Sequence, residues 1–303
     1  MADIPFIHTH DFKYATSEPQ SALVTRVTAD NPGPYTYTGT GVYIIGTRDI
    51  AIIDPGPITA AHTEALDIAL AGKNLTHILL THHHADHSPM AKPLAAKYGC
   101  KIYGHPPKKG AVYVSGDGTD VQMDAGADPG FAPDIIIHDG DQFTGKGWSL
   151  KAVHTPGHTS NHMCFALAEE NTLFSGDHIM GWATSVVIPP GGHMGDYLSS
   201  LHKIKDQNYD IIRPTHGPAI TNVAPFIQAY IDHRMEREEH VLTALQSGHT
   251  NVMDITAHIY THIDKRLYPA AAMSVLSHLI HLCETRRAKC LGPVTLAGKY
   301  SPR

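Results

Sequence analysis

The chain has 303 residues, 42% hydrophobic and 17% charged, the balance of an ordinary globular protein long enough for more than one domain. No run approaches the roughly 20 consecutive apolar residues of a membrane span, so no membrane association is expected. A net charge of −6 argues against a surface built throughout for polyanions, but the charge is uneven: residues 254–303 carry three acids and seven bases, +4, leaving −10 for the rest.

The opening MADIPFIHTHDFKY lacks the basic flank and apolar run of a secretory signal. Strands are predicted at 22–29, 41–46 and 50–54, the last two joined by the turn TRD. A helix over about 59–71 ends at Gly72, and the apolar run 75–81 suits a buried strand. Ser88 as N-cap and Pro89 in the first helical position start another helix, and 101–105 is a further strand. Residues 106–134 are rich in Gly, Asp and Pro and weakly periodic, which reads as a long functional loop or mobile insertion. Strands resume at 148–155, 162–167 and 171–176; Asp196 caps a helix bearing Leu198, Leu201 and Ile204; 209–217 is a strand running into a loop; a long helix covers about 224–245. After Gly248, two helical stretches and the hairpin-like KCLGPVTLAGKYS suggest a winged helix-turn-helix, placing domains at 1–245 and 246–303. Cys100, Cys164, Cys283 and Cys290 form no CxxC pair; they read as buried thiols in a reducing compartment, hence a cytoplasmic protein.

The chemistry is concentrated in THHHADHS at 81–88. Residues two apart project the same way from an extended segment, so His82 and His84 can hold one ion together. Asp86 and His87, where the chain turns toward a helix, can reach a second. Imidazole and carboxylate suit zinc and similar divalent metals. Three further candidates follow strands: His158 in HTPGHTSNH, Asp177 in FSGDH and His216 in RPTHGP.

These segments, with Asp54 ending a strand in IIDPG, resemble the five motifs of the metallo-β-lactamase superfamily over about residues 20–245. The resemblance implies an αββα sandwich, an α+β fold, with two zinc ions at one edge; Mn2+ and Fe2+ are also compatible. It implies that His82, His84 and His158 bind the first ion, that Asp86, His87 and His216 bind the second, and that Asp177 bridges both. Asp54 corresponds to the acid that orients a ligand loop. Asp177 stands where some lactamases carry a zinc-binding Cys, and the first motif lacks the Glu of flavodiiron proteins; persulfide dioxygenases, which bind one iron, share similar letters. The segments GDHIMGWATSVV, DYLSSLHKI and RPTHGP, with the winged-helix tail, resemble the lactamase-β-2-like group, some of whose members cleave single-stranded RNA.

A paired metal site lowers the pKa of a water between the ions, and Asp86 and Asp177 are placed to move its proton. The leading expectation is a dinuclear metal hydrolase acting on a single-stranded RNA phosphodiester or a small ester. The alternatives are a thioester or lactone hydrolase of the glyoxalase II type with weak β-lactamase side activity, and a non-catalytic nucleic-acid- or protein-binding module. No basic glutathione-binding cluster is evident. His193 and Tyr197, in a Gly-rich loop leading into a helix, are candidate substrate contacts. Homo-oligomerisation stays open.

Overall fold

The computed structural model describes residues 3–108 and 126–303, so most of the Gly-rich stretch read as a loop or insertion lies outside the described residues. The first half forms β1 (Ser17–Pro19), β2 (Val24–Thr28), β3 (Gly41–Ile45), β4 (Asp49–Ile53), α1 (Ala60–Leu70), β5 (Asn74–Leu79), α2 (Ala91–Tyr98), β6 (Lys101–Gly104) and β7 (Ile135–Ile136). It continues with β8 (Gln142–Gly145), β9 (Trp148–His154), β10 (Met163–Leu167), β11 (Thr172–Gly176), α3 (Met194–Lys205), β12 (Ile211–Pro214) and α4 (Val223–Gln246). The tail adds α5 (Val252–Ile259), α6 (Tyr268–Glu284) and the hairpin β13 (Ala288–Cys290) and β14 (Tyr300–Pro302).

Strands β1 to β7 lie in sequential order in one sheet, and the other runs β12-β11-β10-β9-β8. The central strands β3, β4, β10 and β11 are buried on both faces, and their alternation sorts side chains into separate cores. Val42, Ile44, Ile50 and Ile52 pack against α1 and α2, while Tyr43, Ile45, Ala51 and Ile53 pack between the sheets with Phe165 and Phe174. Cys164, Ala166 and Leu173 face the other way, toward Tyr197, Leu201, Phe226 and Tyr230 on α3 and α4. The layers are therefore helix, sheet, sheet, helix, as expected.

α4 serves two cores. Phe226, Ile227 and Tyr230 cover the second sheet. Val241, Leu242, Ala244 and Leu245 enter a cluster with Leu276, Leu279 and Tyr300 of the winged helix.

Three local expectations are corrected. α2 begins at Ala91 with Met90 at the cap, because the Ser88 hydroxyl donates instead to Asp128 Oδ2 at 2.6 Å. α3 begins at Met194 with His193 as N-cap, its ring accepting from the Asp196 N–H; Asp196 sits in the first turn, where a negative charge complements the helix dipole. Only Cys164 of the four free cysteines is fully buried. Among the described residues no helix is long and apolar enough to cross a membrane.

The strand directions position the site. β4 runs parallel to β5, and β11 runs parallel to β12 and, through β10, to β9. The loops leaving β4, β5, β9, β11 and β12 therefore emerge at one edge of the sandwich.

Candidate metal centre

That edge gathers all seven candidate ligands. His82, His84 and His158 offer ring nitrogens within 4.8 Å of one another; Asp86, His87 and His216 bring a carboxylate oxygen and two ring nitrogens equally close, as do His82, His87 and Asp177. Asp177 lies between the two halves: its Oδ1 is 3.6 Å from His87 Nε2 and 3.4 Å from His216 Nε2, and its Oδ2 is 3.9 Å from His158 Nε2. Asp86 Oδ2 is 3.0 Å from His216 Nε2 and 3.4 Å from His87 Nε2.

Hydrogen bonds on the far side of each ring fix which nitrogen faces inward. A carbonyl or carboxylate oxygen only accepts, so the nitrogen beside it carries the proton. His158 Nδ1 donates to Val186 O (2.6 Å), His216 Nδ1 to Gly39 O (3.1 Å) and His87 Nδ1 to Asp54 Oδ2 (2.9 Å). His82 Nδ1 donates to Thr81 Oγ1 (2.9 Å), which in turn donates to Asp54 Oδ2 (2.6 Å). In these four rings Nε2 is therefore the nitrogen that points into the cluster. His84 differs: its Nδ1 faces His82 Nε2 at 2.9 Å and His158 Nε2 at 3.3 Å.

Asp54 is the hub of this support. It is 1% exposed, turns the chain with φ +48°, and its Oδ1 accepts the Thr81 N–H while Thr215 Oγ1 reaches its Oδ2 at 3.3 Å. Such partners set the tautomer and aim of ligating histidines.

Electrostatics divides the cluster. Burial and the neighbouring rings hold His82 well below the ordinary histidine range, and burial with His84 beside it lowers His158 to about 4. Both are therefore neutral, the ligating form. Burial works against charge on His87 and His216, but the carboxylates of Asp86 and Asp177 outweigh it and raise both rings. Asp86 and Asp177 are held low despite burial by the same two imidazoles, so both are ionised near neutrality.

The donors fit divalent cations. His87 Nε2, His216 Nε2 and Asp177 Oδ1 are buried and make no well-aligned hydrogen bond, only ion-pair contacts within the cluster, a costly state for the protein alone. Imidazoles and carboxylates in these adjoining groups make a dinuclear metal-binding site typical of hydrolases.

Two candidate substrate contacts are placed otherwise. Tyr197 is fully buried, its hydroxyl donating to His178 O at 2.8 Å, so it has no surface to offer a substrate. His193 spends its ring nitrogens on the Asp196 N–H and on Glu284 of α6, the latter at 2.9 Å. Other supports carried little sequence signal. His162 Nε2 accepts the Asp177 N–H at 3.2 Å, and a Cβ on Gly176 would lie 2.6 Å from that nitrogen. Thr81 and Thr215 each precede a candidate ligand, in LLTH and RPTH, and both reach Asp54; the shared Thr-His pair was the one available clue.

Comparison with known proteins agrees with this geometry. Residues 37–216 match the family model described as metallo-beta-lactamase superfamily, and 252–292 match the beta-lactamase associated winged helix domain. A Caenorhabditis elegans protein called beta-lactamase-like protein 2 homolog is 35% identical over 273 residues, covering 88% of this chain and 86% of its own length. An Emericella nidulans protein called atrochrysone carboxyl ACP thioesterase is 34% identical over 234 residues, 76% of this chain and 67% of its own. A beta-lactamase domain protein from Burkholderia ambifaria shares the fold, with a TM-score of 0.76 at 18% identity over 95% of this chain and 94% of that one.

Proposed function

The chain belongs to the metallo-beta-lactamase superfamily, and from that premise we propose that it is a dinuclear metal-dependent thioester hydrolase. The observation carrying the reaction type is the convergence of five imidazoles and two carboxylates, three of whose buried ligand atoms lack an aligned hydrogen bond. His82, His84 and His158 would hold one ion, Asp86, His87 and His216 the other, with Asp177 shared; Zn2+ is the first candidate, and Mn2+ and Fe2+ suit the same donors. Bound there, the ions supply Lewis acidity and lower the pKa of water.

The chain's own residues divide the remaining work. Asp86, ionised and with 28% of its side chain exposed, takes a proton from the attacking water. The water oxygen bonds the carbonyl carbon, the C–S bond breaks, the acid product leaves, and the proton held by Asp86 goes to the departing thiolate. Asp54, Thr81 and Thr215 keep the rings aimed while this happens.

A thioester is favoured over RNA, the leading expectation from the sequence, on two grounds. Several relatives at 34% identity carry the name ACP thioesterase. Moreover, part of the basic tail is already paired with carboxylates of its own fold, Arg287 with buried Glu238 and with Glu239, and Arg266, at the surface, with Asp264. The test is apo-protein reconstituted with Zn2+, Mn2+ or Fe2+ and offered an acyl-N-acetylcysteamine, a single-stranded RNA oligonucleotide and a β-lactam. Thioester turnover that needs metal and disappears in His82→Ala is expected. RNA cleavage without thioester hydrolysis would move the assignment to a phosphodiester; full loading with no hydrolysis would make the metals non-catalytic.

A further inference from the structure

We propose that Arg234 of α4 is a positioning residue for the metal centre, acting through the loop 178–187; the inference rests on the metal reading above. This loop joins the two halves of the site. Near its far end Ser185 Oγ donates back to Asp177 O at 2.5 Å, and the next residue, Val186, accepts at its carbonyl from His158 Nδ1 at 2.6 Å. The Ser185 hydroxyl thus fixes the main chain at Asp177, and the Val186 carbonyl fixes the tautomer of His158.

α4 grips this loop from behind. Arg234, 5% exposed, donates from Nη2 to Ser185 O. One turn earlier, the Tyr230 hydroxyl sits between the carbonyls of Met180 and Ala183 and accepts the Met180 N–H at 3.2 Å. The Arg234 guanidinium also lies over the Tyr197 ring, 5.3 Å from its centroid. Tyr197 in turn backs the His158 turn so closely that a Cβ on Gly157 would fall 2.4 Å from Tyr197 Cα. Arg234 therefore contacts both supports of His158, the loop that accepts its proton and the tyrosine beneath its backbone. A planar guanidinium can donate to the carbonyl and lie over the ring at once, which a lysine ammonium cannot do with the same geometry. A bond from a charged donor is also shorter and stronger than a neutral one.

The test titrates apo-protein with Co2+ and reads the visible ligand-field bands, the stoichiometry and the affinity, alongside thermal melting of the metal-free protein. In Arg234→Met we expect a folded apo-protein whose Co2+ affinity falls by about tenfold or more, the range seen when groups supporting a metal ligand are removed. Its bands shift, and Arg234→Lys recovers part of the affinity. Folded Arg234→Met with wild-type affinity and bands overturns the proposal. If that variant does not fold, Ser185→Ala decides, since it keeps the arginine and removes only the hydroxyl: weakened binding with shifted bands is expected, and wild-type behaviour overturns the proposal. Wild-type protein that takes up no Co2+ sinks the metal reading itself, and the positioning role with it.

Discussion

Replacing Asp54 with Asn tests the support of the metal centre most directly. Asn is nearly isosteric and tolerates the left-handed backbone, φ +48°, that Asp54 adopts, so the change is electronic rather than conformational. In the wild type Oδ1 accepts from Thr81 N at 2.8 Å, and Oδ2 accepts from Thr81 Oγ1 at 2.6 Å, His87 Nδ1 at 2.9 Å and Thr215 Oγ1 at 3.3 Å. With the amide oxygen kept toward Thr81 N, the NH2 faces the other three donors. The hydroxyls can rotate. The imidazole must move its proton to Nε2, the atom that faces Asp86 and Asp177, and so lose its ligating lone pair. With the amide reversed, two buried N–H groups collide. Either way about one charge-assisted hydrogen bond is lost, about 1.5–3 kcal/mol, or roughly a 10- to 100-fold weaker hold on the ion at His87. Calorimetric Zn2+ titration of the apo-variant, with metal content measured after dialysis, should show this ion lost before the one at His82, His84 and His158. Two ions bound with wild-type affinity would refute the reasoning.

Other outcomes follow from the same geometry. Asp86→Asn should lower thioester turnover by about 10²–10⁴-fold, the range for a lost acid–base group, and weaken the ion beside His216; unchanged kcat at matched metal content would remove its proton role. Gly176→Ala puts a Cβ 2.6 Å from His162 Nε2 at φ +53°, so urea denaturation should show a loss of about 1–3 kcal/mol; no loss would mean His162 moves aside freely. Chelation should lower the melting temperature, because ions at 100 times their Kd stabilise by about 2.7 kcal/mol, and an unchanged transition would contradict a filled site. In the winged helix, the bond from His281 Nδ1 to Glu238 Oε2, 2.6 Å, raises His281 above its ordinary 6.5, so its stabilising effect is full below pH 6.5 and fades as pH rises through the raised value. Burial opposes ionisation of Glu238, yet His278 beside it and the His281 bond lower it to about 2, so its share is present above 4.5 and lost as pH falls toward 2. NMR titration should find His281 raised in the wild type and clearly lower in Glu238→Gln; an unchanged midpoint would remove Glu238 as the cause.

The layered fold and the winged-helix tail were legible because they depend on short-range patterns: period-two apolar strands, glycine-ended helices, and a helix pair before a terminal hairpin. The ligand letters were legible because imidazole and carboxylate at strand ends are chemically conspicuous. What surrounds them was not. Asp54 and Thr215 meet across 161 residues, and nothing local in RPTH says where its hydroxyl will point. The two misplaced helix starts share that cause. Ser88 looks like a cap until Asp128, 40 residues away, takes its hydroxyl, and Asp196 looks like one until the ring of His193 does the work. Tyr197 sits in a loop-to-helix segment that sequence reads as open, and only the packing of Gly157 upon it shows that it is enclosed.

The long helix α4 falls between the two stretches matched to family models, after residue 216 and before residue 252, yet both halves lean on it. It acts as a splint set across a joint. A graft ending at residue 216 would strip Phe226, Ile227 and Tyr230 from the outer face of the second sheet and leave Leu201, Ile204 and Ile212 wet. One beginning at residue 252 would leave Leu276 and Leu279 without Val241 and Leu245. Neither piece is a self-sufficient unit, and exchanging the tail for another would mean refitting the catalytic half as well.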